Sequence, residues 1–126
     1  MGLEGFETVT FGITGMFASI TRNGVTFSKN VVQRIGSPPN VILMINKERK
    51  QFAIKPAGQK DASAMPFFSA EKGSPSVRWN SKEFLKLISG MMNWDLKASN
   101  GYRVNGSYVA SDKAIIFDLC ESIPNP

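Results

Sequence analysis

The chain contains no histidine and a single cysteine, Cys120. The first absence removes the commonest general base, the usual metal ligand and the Ser-His and Cys-His nucleophile pairs together. The second excludes an internal disulfide and a cysteine-built zinc site, and it sets the expectation of an intracellular, cytoplasmic protein. No apolar run nears the roughly 18 residues that a membrane span requires, and the opening MGLEGFETVTFG lacks both the basic and the long apolar region of a leader. Neither membrane insertion nor export is expected. The acidic residues are scattered singly, without paired-carboxylate or EF-hand spacing, and most read as solvated surface. An enzyme would have to work with Lys, Ser and Asp alone. The chain is therefore read as non-enzymatic, with no cofactor or metal implied.

What is present suits one globular domain: 126 residues, 42% hydrophobic and 20% charged, enough to bury a core without staples. The net charge of +5 is uneven. Residues 1–58 hold seven basic and three acidic side chains, a net +4, whereas the remainder is nearly balanced. A basic half favours polyanionic partners through counterion release, although the same charge also serves solubility.

The phrase VTFSKNVVQRIG at residues 25–36 returns at residues 77–90 as VRWNSKEFLKLISG. The correspondence extends on both sides: Phe17 matches Phe67, Arg22 matches Lys72, Val25 matches Val77, Phe27 matches Trp79, and Ala53-Ile54 matches Ala114-Ile115. In the first copy Asn23-Gly24 reads as a tight turn joining two alternating strands, Ser28 as an N-cap, and Gly36 as the stop of a short helix. In the second copy Asn80 or Ser81 caps a longer helix, with Glu83 placed three residues after Asn80 as in a capping box. Each unit reads strand, strand, helix, strand, strand. The expected fold is mainly β with two helices, a small pseudo-symmetric barrel made by tandem duplication of that unit. Repeats at about 17–56 and 67–119 share one core, and residues 57–75 form a connecting loop with one helical turn near 61–65.

The segment ITRNGVTFSKNVVQRIGSPPNVILMINKERKQFAIKP resembles the swapped-hairpin module of the AbrB and MazE type, well over residues 20–56 and faintly over 77–119. The resemblance implies a DNA-binding, transcription-regulatory barrel in which two copies within one chain stand in for two subunits. Where the family enters its helix through arginine after glycine and then proline, this chain has Gly24-Val25-Thr26-Phe27-Ser28. Arg22 and Lys29 supply replacement charge, and Lys72, Arg78 and Lys82 occupy comparable places in the second copy.

The nucleic-acid-binding candidates are therefore Arg22, Asn23, Lys29, Arg34, Lys72, Arg78 and Lys82, set against a solvated turn and helix face. Phe27, Trp79, Phe67, Phe68 and Trp94 offer either a stacking platform for bases or core packing, and strand aromatics at matching repeat positions read as core. Met44, Met91 and Met92 read as core fillers, and Cys120 as a small buried hydrophobe late in the last strand. The expected partner is double-stranded DNA, with a protein-interaction or assembly role as the alternative, for a monomer or homodimer.

Overall fold

The computed structural model describes residues 4–5, 15–58 and 60–125. Strand β1 (Phe17–Thr21) and strand β2 (Gly24–Phe27) alternate as the sequence pattern requires, burying Ala18, Ile20, Val25 and Phe27 on one face. Helix α1 (Lys29–Arg34) follows, then the hairpin of β3 (Asn40–Asn46) and β4 (Gln51–Pro56). After β5 (Met65–Pro66) and a 3-10 turn at Ala70–Lys72 come β6 (Val77–Trp79) and helix α2 (Lys82–Met92). A second 3-10 turn at Leu96–Ala98 leads to the hairpin of β7 (Tyr102–Val109) and β8 (Ala114–Asp118), and β9 (Ile123–Pro124) closes the chain. The fold is mainly β with two helices, as expected.

All pairings are antiparallel, in the order β5-β3-β4-β8-β7-β1-β2-β6, with β9 on β7. In a flat sheet β2 and β4 would lie four strand spacings apart, about 19 Å. Yet the Phe27 ring of β2 is 6.4 Å from Phe52 of β4 and 5.7 Å from Phe117 of β8. The sheet curls into a half-barrel until its two ends nearly meet. At the seam, Trp79 of β6 donates its indole N–H to the Pro66 carbonyl of β5 at 3.1 Å, although no ladder joins these edge strands.

The order is unchanged when β1 is exchanged with β5, β2 with β6, β3 with β7 and β4 with β8 and the strands are read around the curl. Two of the ladders between the halves obey the same exchange in register. Swapping Val25, Thr26 and Phe27 for Val77, Arg78 and Trp79 turns the β2–β6 pairs Val25↔Trp79, Thr26↔Arg78 and Phe27↔Val77 into one another. The pair Ile54↔Ile115 between β4 and β8 maps onto itself. Each hairpin is inserted into the other half: β3–β4 lies between β5 and β8, and β7–β8 lies between β4 and β1.

Local chemistry explains the helix ends. Ser28 precedes α1 but makes no side-chain cap; its hydroxyl accepts from the Phe17 amide at 3.1 Å and donates to the Gly15 carbonyl, tying the helix start to β1. At the other end Gly36, at φ 86°, lets its own amide reach Gln33 and the Ser37 amide reach Val32, a closing motif that favours glycine. In α2 the Ser81 hydroxyl accepts from the Phe84 amide at 3.2 Å, so Ser81 rather than Asn80 is the cap and the Asn80–Glu83 box is out of register.

Other expectations are corrected. The two-residue loop between β1 and β2 is Arg22-Asn23, because Thr21 already pairs with Gly24, and of the Asn-Gly pair only Gly24 has positive φ. A Cβ on Gly24 would strike the Trp79 carbonyl oxygen, so glycine there reflects the close approach of β6. Residues 61–64 form a turn organised by the Asp61 carboxylate and no helix, while the first strand of the second half shrinks to Met65–Pro66. Cys120 is exposed: Asp118 caps a 3-10 turn at Leu119–Glu121 that directs Leu119 into the core and Cys120 outward. Met44 is also exposed, since Val41, Leu43 and Ile45 take the inward positions of β3.

Phe27 is fully buried and its ring contacts those of Trp79, Phe67, Phe117 and Phe52. Phe27→Ala is expected to cost about 3 to 5 kcal/mol in a denaturant melt. A fragment of residues 1–58 keeps only the β1–β2 and β3–β4 ladders and forgoes four inter-half ladders. Its amide spectrum is expected to be collapsed, and a dispersed, monomeric spectrum would contradict the shared core.

Candidate nucleic-acid interface

The four-residue spacing of Lys82 and Lys86 puts both ammonium groups on one face of α2, flanked by Leu85 and Ser89. Leu85 is buried and so is Leu96 of the following 3-10 turn, which holds that turn against the helix. Between them Trp94 lies flat on Tyr102 of β7, ring centroids 3.7 Å apart and planes 10° from parallel. The Asp95 carboxylate accepts from the Lys97 amide at 3.2 Å. The Lys97 carbonyl in turn accepts from the Arg22 guanidinium at 3.5 Å, joining the β1–β2 loop to this corner.

The result is a groove of about 580 Å³ whose charged lining, among the described residues, is Arg22, Lys82, Lys86 and Lys97 against Asp95. Two lysines four apart on a helix repel by a few tenths of a kcal/mol, so the arrangement works slightly against α2. Its positive field is suited to an anion outside the chain. From Arg22 the basic surface continues. The neighbouring Asn23 carbonyl accepts from the Arg78 guanidinium at 3.3 Å, and Arg78 shares a second cavity, of about 430 Å³, with Lys72. Both guanidinium contacts are to neutral carbonyls, which leave the cationic charge unneutralised.

Five of the seven candidates thus fall on one continuous strip: Lys82, Arg22, Asn23, Arg78 and Lys72. Asn23 contributes through its backbone, with its amide on the Thr21 hydroxyl and its carbonyl on Arg78. Lys29 and Arg34 lie apart. Lys29 opens α1 beyond the far end of β2, about 13 Å of strand away from the Arg22-Asn23 loop. Arg34 ends α1 with its guanidinium 4.4 Å over the Tyr108 ring, in a separate shallow groove with Gln33 and Met16. Of the aromatics, Phe27, Trp79 and Phe67 are buried and Phe68 packs against the core, so Trp94 alone among them lines the groove.

Lys86 and Lys97 complete the groove, and neither stands among the candidates that sequence reasoning selects. The Lys82-Lys86 spacing is a readable signal for the first. Lys97 has none, because its approach to Arg22 depends on a contact between residues 75 positions apart. Among the described residues, no group of three or more His, Cys, Asp or Glu side chains is placed to hold a metal ion, and no helix is long and apolar enough to cross a membrane.

Compared with protein-family models, curated proteins and solved structures, the chain matches none. No match identifies a swapped-hairpin module in it.

The groove cations are exposed and free of structural ion pairs in their observed contacts. Arg22→Ala and Lys82→Ala are expected to change unfolding free energy by less than about 0.5 kcal/mol, and Lys86→Ala to raise it slightly. Urea melts check this, and a decrease above about 1 kcal/mol would mean that these side chains hold the fold together.

Proposed function

We propose that the protein is a non-catalytic, cytoplasmic DNA-binding protein of the swapped-hairpin kind, acting in transcription regulation, and that duplex DNA lies with its phosphates along the strip from Lys86 to Lys72. The observation that carries this reading is the groove's four cations to one carboxylate, drawn from the β1–β2 loop, α2 and the Leu96–Ala98 turn. Phosphate contacts of this kind position a duplex without reading its sequence. Trp94 beside the groove adds an apolar, polarisable wall for sugar or base.

A protein-interaction role is favoured by a different feature. On the outer face of the β3-β4-β8 sheet Met44 is 37% exposed beside Ala53 and Ile116, lining a small apolar groove. That surface is remote in chemistry from the basic strip, so the two readings separate cleanly.

The test is a salt series of binding to random duplex DNA by wild type, by Arg22→Ala/Lys82→Ala/Lys86→Ala, and by Lys29→Ala/Arg34→Ala as a control from outside the strip. The triple variant is expected to weaken binding at every sequence and to lower the salt slope by about 0.9 for each phosphate that the protein no longer neutralises. The control is expected to behave as wild type. If the triple variant keeps both affinity and slope, the strip is not a DNA surface and the apolar face becomes the leading site.

A further inference from the structure

The exchange that relates the two halves breaks at the seam. β1 pairs with β2, but their counterparts β5 and β6 share no ladder, and residues 67–76 run between them instead. The missing pairing leaves the 430 Å³ cavity at the seam. Buried Phe67 and Val77 form its apolar wall, and the polar lining consists of the hydroxyls of Thr26, Ser69, Ser74 and Ser76 with the cations Lys72 and Arg78. Among the described residues, no carboxylate lines it.

Its geometry is that of an anion receptor. Arg78 sits on the Thr26↔Arg78 pair at the centre of the β2–β6 ladder, and its guanidinium is steadied by the Asn23 carbonyl. That contact occupies one nitrogen and leaves the remaining donors of the fork available. Gly73, at φ 69°, turns the chain between Lys72 and Ser74. Ser74 and Ser76 are joined hydroxyl to hydroxyl at 3.2 Å, and the Ser76 amide donates to the Ser74 hydroxyl.

We propose that the seam cavity binds a phosphate monoester. A monoester carries a charge of about −1.5 to −2 near neutrality and three terminal oxygens, which matches two cations and a ring of hydroxyl donors. A diester of a nucleic-acid backbone carries a single charge and suits the open groove better. The monoester has two sources, the 5′-phosphate end of a strand or a free phosphorylated small molecule. The site itself does not rest on the DNA-binding reading.

The test is a titration of the isotope-labelled full chain with inorganic phosphate and with adenosine monophosphate, following backbone amides. Saturating shifts centred on Ser69, Ser74 and Ser76 are expected. Lys72→Ala and Arg78→Ala should each weaken the interaction about tenfold, whereas Lys72→Arg should preserve it. The groove variant Arg22→Ala/Lys82→Ala/Lys86→Ala should leave it unchanged while weakening duplex binding, so failure of the DNA reading does not remove this site, although Lys72 and Arg78 also lie on the strip. Tighter binding of a 5′-phosphorylated oligonucleotide than of its 5′-hydroxyl form would identify a strand end as the source. Equal binding of the two oligonucleotides, with adenosine monophosphate still saturating, would identify a small molecule. Shifts that do not saturate, or that persist in Lys72→Ala/Arg78→Ala with its spectrum otherwise intact, would overturn the proposal.

Discussion

Phe27 is where the sheet meets itself. Its ring touches aromatic side chains from β4, β6 and β8 and from the chain just after β5, elements that lie on both sides of it in strand order. Curling antiparallel strands tightly leaves a narrow interior, and large flat rings in edge-to-face contact fill it with few voids. Phe52 and Phe117, stacked at 4.8 Å across the β4–β8 ladder, extend the cluster to the opposite wall. Everything else follows the curl: the seam exists because the wall is left open on one side, and the basic strip exists because the β1–β2 loop is carried round to α2 and the turn after it.

The parts of this architecture that depend on local chemistry are legible in the sequence. Alternation at Ala18, Ile20, Val25 and Phe27 announces two strands, and Gly36 announces the end of α1. The matched spacing of Val25-Phe27 with Val77-Trp79 marks them as equivalent positions of two halves, and the structure pairs these segments directly across the β2–β6 ladder. What cannot be read there is decided by tertiary contact. Cys120 belongs to an apolar-looking strand end, but Asp118 caps a turn there and reverses its direction. The shortening of the second half's first strand reflects the seam, where the Trp79 indole takes the Pro66 carbonyl.

The candidate interface divides in the same way. Charge type and the turn location point to Arg22, Asn23 and Lys82, all of which meet in one place. Lys29 and Arg34 group with them on sequence because a short helix following a short strand looks adjacent along the chain. The length of β2 separates Lys29, and attraction between the Arg34 guanidinium and the Tyr108 ring commits that side chain elsewhere. Conversely, Lys97 joins the strip through a single carbonyl that no local pattern announces.

The interleaving of the two hairpins also governs how the chain reaches its native state. The first described strand, β1, pairs through Phe17 with Asn105, and β4 pairs through Gln51 with Asp118. Such distant pairings raise the contact order and slow the search, since loop entropy is spent before any ladder rewards it. On a ribosome the consequence is sharper. Synthesis at about 5 to 20 residues per second leaves β1 without β7 and β4 without β8 for several seconds. During that interval the bare edges of β1 and β4 and the ring of Phe27 are open to other chains, an exposure that ends only when β8 emerges.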